Sequence, residues 1–234
     1  MNDATNTFET FIGDNSNQFA LAASKAVTIN PSEYYNPLWI YGPSGCGKSH
    51  LLCAIYHKLS ENQEISVLYL SARDLAESSV DLVANRPTLW GHIEHVSVLL
   101  VDNMELLCGC KATQIEIAKL FIEKTKNNQQ VVCTSACPPK NLLPLLKVLQ
   151  MDGEKALVAD IQRPEMKLRS DFVHRYLSDE SMIVTEEAAD YLSRHLTSIP
   201  RIKGVMNRAK FHYMQHNKPI ALATIKRLIL FGGL

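Results

Sequence analysis

The sequence predicts an α/β fold in which a parallel five-stranded sheet, flanked by helices, is followed by a small all-helical region. Three observations carry this expectation. Short apolar runs alternate with segments of helical spacing as far as residue 162, the pattern of a parallel sheet covered on both faces. One run leads into Gly42-Pro-Ser-Gly-Cys-Gly-Lys-Ser49, which has the G-x-x-x-x-G-K-[ST] spacing of a phosphate-binding loop. From Arg163 onward the strand signals stop, and helical spacing continues over 164–178, 185–197, 199–216 and 219–231. The expected division is therefore 1–163, a nucleotide-binding α/β domain, and 164–234, a helical lid.

Taken in order, Phe8 and Phe11 precede a polar turn in which Asp14, Asn15 or Ser16 is placed to cap a helix carrying Phe19, Ala22, Ala23, Ala26 and Val27. Asn30-Pro31 ends that helix, and Asn36-Pro37 leads into the apolar run Leu38–Tyr41. Leu51, Leu52, Ala54, Ile55 and Leu59 mark the helix after the loop. Residues 65–70 read as a second strand, 71–84 as a helix, and Leu89, Trp90 and Ile93 as a further short one. Val96–Asp102 is almost continuously apolar and ends in an acid, as a fully buried parallel strand does. Residues 111–127 form an amphipathic helix, 130–135 a strand, and Pro138-Pro139 opens a helix through Leu142, Leu145, Leu146 and Leu149. Residues 156–159 read as the last strand.

The glycines at 42, 45 and 47 let the backbone curl so that its amides face a phosphate, joined by Pro43, Ser44, Cys46 and His50 around the turn. The helix that follows adds its unpaired amides and positive dipole end. Lys48 is expected to reach the β- and γ-phosphates, and Ser49 to place its hydroxyl on Mg²⁺. Asp102, ending a buried strand downstream of such a loop, is the second expected Mg²⁺ group, acting through water.

Composition bounds the rest. Hydrophobic residues make up 46% and charged residues 21%, which suits a globular protein with a sizeable core. No apolar run is long enough to span a membrane, and the first residues lack a secretory pattern, so the expectation is a cytoplasmic protein. The 24 basic and 24 acidic residues balance, which removes any whole-chain attraction to nucleic acid. The balance is uneven, however. Arg201, Lys203, Arg208, Lys210, Lys218, Lys226 and Arg227 follow residue 200 with no acid among them, so an anionic partner, nucleic acid included, is open for this region. The six cysteines form no C-x-x-C pair and read as reduced thiols; Cys108-Gly-Cys110 is too closely spaced for a usual zinc pair. His92/His95 and His212/His216 read as ordinary surface or core histidines.

Together the motifs resemble the AAA+ ATPase core of the bacterial replication initiator DnaA and its shorter Hda-type relatives. The resemblance runs through Phe8-x-x-Phe11 with Gly13 and Asn17, Asn36–Gly42, Leu99–Asp102, Gly109 with Thr113-Gln114-x-Glu116, Val131–Ser135 with Pro138-Pro139-Lys140, and Asp160-Ile-Gln-x-Pro164. It implies a parallel AAA+ sheet with a helical lid, and bound ATP or ADP with Mg²⁺. It places Phe11 and Asn17 beside the adenine, Ser135 at the sensor-1 position, and a DnaA-type initiator or a second copy as partner.

The sequence also departs from that family's pattern. Asn103 stands where a second acid usually follows the strand-end Asp, and an amide cannot take a proton from water. Either Asn103 or, two residues on, Glu105 is left to orient the attacking water. Ala136 replaces the acid that often follows the sensor-1 serine. The arginine-finger segment, 148–153, contains no arginine, and Pro200 occupies the sensor-2 position with Arg201 one residue late, the residue then expected to reach the phosphates. The single-stranded-DNA segment, around 72–95, offers only Arg73 and Arg86 against four acids, and the N-terminus lacks a clamp-binding motif. Three readings follow: a nucleotide-binding regulator of replication initiation with weak or absent hydrolysis, an active DnaA-like ATPase, or a nucleic-acid-binding module using the basic C-terminal helices.

Overall fold

A computed structural model describes residues 5–83, 88–142 and 156–230. The chain divides into two compact units, Met1–Phe11 with Asn17–Ile161, and Ile12–Ser16 with Gln162–Leu234.

In the first unit α1 (Gln18–Ile29), β1 (Leu38–Tyr41), α2 (Lys48–Ser60), β2 (Val67–Ser71), α3 (Ala72–Val83), α4 (Thr88–His95), β3 (Val98–Asp102), α5 (Lys111–Lys126), β4 (Gln130–Ser135) and β5 (Leu157–Asp160) follow one another. The strands lie in the order β2-β3-β4-β1-β5, and every pairing is parallel. Each strand contributes alternate residues to two apolar layers. Trp39, Leu99, Val101, Val131 and Cys133 pack with Leu75, Ile93, Ile117 and Phe121 on the side of α3, α4 and α5. Leu38, Ile40, Val98, Leu100 and Val132 pack with Ala23, Val27, Leu51, Leu52 and Ile55 on the side of α1 and α2. Burial on both faces explains why β3 and β4 carry no exposed position.

Several boundaries differ from expectation for local reasons. β2 and β3 begin two residues later than the apolar runs. Ser97 N donates to Ser66 Oγ at 2.8 Å, and the two hydroxyls lie 3.1 Å apart, so side chains close this end before the ladder starts at Val67 and Val98. Helix α1 starts after Asn17, without a side-chain cap; Asp14 Oδ1 instead accepts from the amide and hydroxyl of Ser16 and closes a turn. Pro139–Asn141 forms one short 3₁₀ turn. The helix expected through Leu149 and the arginine-finger stretch 148–153 lie outside the described residues, as do 84–87 of the expected single-stranded-DNA segment.

Polar side chains knit the lower end of the sheet. Asn36 Oδ1 accepts from Val131 N at 2.9 Å and its Nδ2 donates to Gln129 O at 3.0 Å. Buried Gln130 accepts from Ser32 N at 2.7 Å and donates to Tyr35 O at 3.1 Å. Lys124 is fully buried on α5, and its ammonium donates to Glu94 O and Val96 O at 3.1 and 3.0 Å.

The second unit holds α6 (Met166–Asp179), α7 (Glu186–His195), α8 (Ile199–His216) and α9 (Leu222–Leu230) around Val173, Ala188, Leu192, Ile202, Val205, Met206 and Ile225. One parallel bridge, Val184 to Ile220, interrupts the helical pattern, with Thr185 N on Ile220 O at 3.0 Å. It forms because Asn217, in the left-handed region at φ 47°, stops α8 and turns the chain back. Among the described residues no helix is long and apolar enough to cross a membrane.

Burial pushes the Lys124 ammonium down to about 8 from its ordinary 10.5. Between those values the unfolded chain binds a proton that the folded chain does not, so the Lys124 contribution to stability rises with pH there. The difference in urea-unfolding free energy between wild type and Lys124→Met is expected to be flat below pH 8 and to rise in favour of wild type from 8 to 10.5. A flat difference across that window overturns this account.

Candidate nucleotide-binding site

The carboxyl ends of β1, β3 and β4 lie at one edge of the parallel sheet, which is where such sheets place ligands. β1 delivers the loop there. Gly42 N donates to Ser135 O at 3.1 Å, and Ile161 N donates to Tyr41 O at 2.7 Å, so β4 and β5 close on Gly42 from both sides. A Cβ on Gly42 would lie 2.1 Å from Ile161 O, so no other residue fits. Gly47 caps α2 at φ 105°, and a Cβ there would lie 2.9 Å from the Phe11 ring. Phe11 therefore sits directly on the last glycine of the loop.

His50 fastens this contact. Its Nε2 lies 2.8 Å from Thr7 O and 3.2 Å from Thr10 Oγ1, and its ring meets Phe11 edge-on at 5.1 Å. The segment 7–11 is thus tied to the first turn of α2. Within the loop, Gly42 and Cys46 are buried, Gly45 is half-buried, and Pro43, Ser44 and Ser49 are exposed. Burial raises the Cys46 thiol, partly offset by the Lys48 ammonium. Lys48 is buried, and its ammonium donates to Gly42 O at 2.7 Å and Pro43 O at 2.9 Å. No acid stands in the first turn of α2, so its positive end is left uncompensated by the chain.

Asp102 is buried at the end of β3. Three donors hold its carboxylate: the Tyr69 hydroxyl from β2 on Oδ2 at 2.8 Å, and the Thr134 hydroxyl and the Asn103 amide, the latter at 3.1 Å, on Oδ1. Burial first, and then the Asp102 carboxylate, push the Tyr69 phenol far above its ordinary value, so it remains a donor. Asn103 adopts the left-handed conformation, φ 61° and ψ 48°, and also donates its amide to Thr134 Oγ1 at 3.2 Å. Glu105 Oε2 accepts from Ala136 N, beyond β4, at 2.8 Å.

The sequence points to Ser135 and carries no local signal for Thr134 or Tyr69. The register settles the difference. Val101 pairs with Cys133, so Thr134 follows on the face that Asp102 shares, while Ser135 falls on the face of Trp39. Ser135 accepts from Trp39 Nε1 at 2.8 Å and donates to Cys137 O, which engages its hydroxyl in the core. The Ser135 hydroxyl, expected at the sensor-1 position, thus lies on the face opposite Asp102 and Thr134. Asn17 is buried as the residue before α1. Arg201 belongs to the second unit, exposed in the first turn of α8. Of the other basic residues there, Lys210 pairs with Glu180 and Lys226 lies 5.1 Å over the Tyr191 ring.

Mg²⁺ prefers oxygen ligands and keeps much of its shell from water and phosphate. The Ser49 hydroxyl and the Asp102 carboxylate fit that demand. A carboxylate offers about four acceptor positions, and three are filled at Asp102, which leaves one. No group of three or more His, Cys, Asp or Glu among the described residues forms a cage of its own.

Residues 2–160 match the family described as the bacterial DnaA ATPase domain. The chain belongs to that family. The chromosomal replication initiator protein DnaA of Symbiobacterium thermophilum is 35% identical over 206 residues, covering 86% of this chain and 45% of that protein. The chain spans about half the length of the curated DnaA relatives it matches. Domain III of Thermotoga maritima DnaA superposes with a TM-score of 0.87 at 26% identity, covering 97% of this chain and 96% of that one. The AMPPCP-bound DnaA of Aquifex aeolicus gives 0.78 at 26% identity over 89% and 66% of the two chains. The parallel sheet with flanking helices is the AAA+ arrangement of the DnaA family.

Gly42→Ala is expected to destabilise the protein by about 3 kcal/mol or more, since backbone and not a flexible side chain opposes the added carbon. Gly91→Ala, in α4 with nothing within 4 Å, is expected to stabilise by up to about 1 kcal/mol. Urea unfolding of both checks this, and a Gly42→Ala protein as stable as wild type overturns the close-approach account.

Proposed function

We propose that the chain is a nucleotide-responsive module of DnaA-type replication initiation. It binds ATP or ADP with Mg²⁺, hydrolyses ATP slowly or not at all, and acts through contacts with a DnaA-type initiator or with a second copy of itself. The observation that carries this reading is a complete phosphate loop beside an incomplete hydrolytic set. Gly42, Gly47, Lys48 and Ser49 are in place, and Phe11 and His50 brace the loop. Asn103 offers no proton acceptor, and the Glu105 carboxylate is engaged by Ala136 N.

In this reading the loop amides and the Lys48 ammonium hold the phosphates, and Phe11 and Asn17 border the base. Mg²⁺, when bound, would neutralise phosphate charge. Ser49 and Asp102 are the groups that would hold it, with Thr134 and the Asn103 amide fixing the carboxylate. Support also comes from the AMPPCP bound to the Aquifex aeolicus relative.

Calorimetry is expected to show ATP and ADP binding by wild type and a loss of about 10- to 100-fold in Lys48→Ala, the worth of charge-assisted bonds to phosphate. Steady-state turnover is expected to be low and to change less than about twofold in Glu105→Gln, as for a carboxylate outside the reaction. Absence of ATP binding by wild type overturns the reading. Brisk turnover that collapses in Glu105→Gln replaces it with the active-ATPase reading.

A further inference from the structure

We propose that Tyr69 is a positioning residue for the cation that accompanies the nucleotide, acting through Asp102; this rests on the nucleotide reading above. Tyr69 lies on β2, at the opposite edge of the sheet from β5, and no phosphate-loop motif contains it. Its hydroxyl donates to Asp102 Oδ2 at 2.8 Å, the oxygen that neither Thr134 nor the Asn103 amide engages. Without that bond the carboxylate has both of its fixed donors on Oδ1 and is free to swing Oδ2.

The same hydroxyl is in side-chain contact with Cys53 on α2. Cys53 stands one helical turn beyond Ser49, on the same side of α2. Tyr69 thus meets Asp102 on one hand and Cys53 of α2 on the other. One phenol links the strand-end carboxylate of β3 to helix α2. The ring itself is braced edge-on by Tyr56 at 6.5 Å. Outer groups that fix the ligands of a metal commonly alter its affinity 10- to 100-fold when removed. Here a smaller effect is expected, because Thr134 and the Asn103 amide remain on the carboxylate.

ATP binding is measured by calorimetry in EDTA and in Mg²⁺ for wild type, Tyr69→Phe and Tyr56→Leu. The expected result is a Mg²⁺ enhancement of ATP affinity in wild type. In Tyr69→Phe that enhancement falls at least threefold, while affinity in EDTA stays within twofold. Tyr56→Leu, which loses the ring contact but keeps the bond to Asp102, retains the enhancement. A Tyr69→Phe protein with the wild-type enhancement overturns the proposal and leaves the nucleotide reading intact. So does equal loss in Tyr56→Leu, which would make the effect one of packing. Wild type that binds ATP without any Mg²⁺ enhancement also removes the role of Tyr69 alone. A Tyr69→Phe chain that fails to fold overturns it as well, by making the hydroxyl a structural group. Wild type that binds no ATP in either buffer overturns both.

Discussion

The first unit is arranged around a place where a side chain cannot exist. β1 emerges between β4 and β5, and at Gly42 the carbonyl of Ile161 crosses within 2.1 Å of where a Cβ would be. That closeness lets the backbone leave the sheet and curl at once into the loop. It also sets the start of α2, whose first residue is Lys48. A wider gap would move the α2 amides away from the sheet edge and from Asp102, and the groups of the site would no longer share one rim.

Around this constraint the side chains divide into two kinds of support. Phe11 bears on the loop from the N-terminal side by packing on Gly47, and His50, in the first turn of α2, ties that segment down through Thr7 and Thr10. Tyr69, Thr134 and the Asn103 amide bear on Asp102 from the strands to either side of it and from its own turn. A buried carboxylate is costly unless such donors surround it, and this one is surrounded. Glu105, by contrast, ties the turn after β3 to the turn after β4.

Much of this was legible in the chain itself. The loop spacing, the buried runs of β3 and β4 and the helical spacing after residue 163 are local patterns, and each element formed where its pattern lay. The differences arise where residues distant in the chain meet. Ser66 and Ser97 bond to each other and delay two strands, and Asn217 turns the chain so that Val184 and Ile220 meet. Ile12–Ser16 joins the second unit because Gln162 N donates to Ser16 O at 2.9 Å, a contact across some 146 residues that no window of sequence displays.

By itself the sequence determined which residues could hold phosphate, since glycines, a lysine and a hydroxyl at set spacing are a matter of local backbone geometry. It determined as well that position 103 lacks a carboxylate. The tertiary structure alone decided which side chains meet Asp102. Strand order put β2 and β4 on either side of β3, and register put Thr134 on its face and Ser135 on the other. A shift of one residue along a strand reverses every side chain on it, and strand pairing is set by contacts far apart in the chain. For that reason the phosphate loop could be read from the chain, while the hydrogen bonds that hold Asp102 beside it could not.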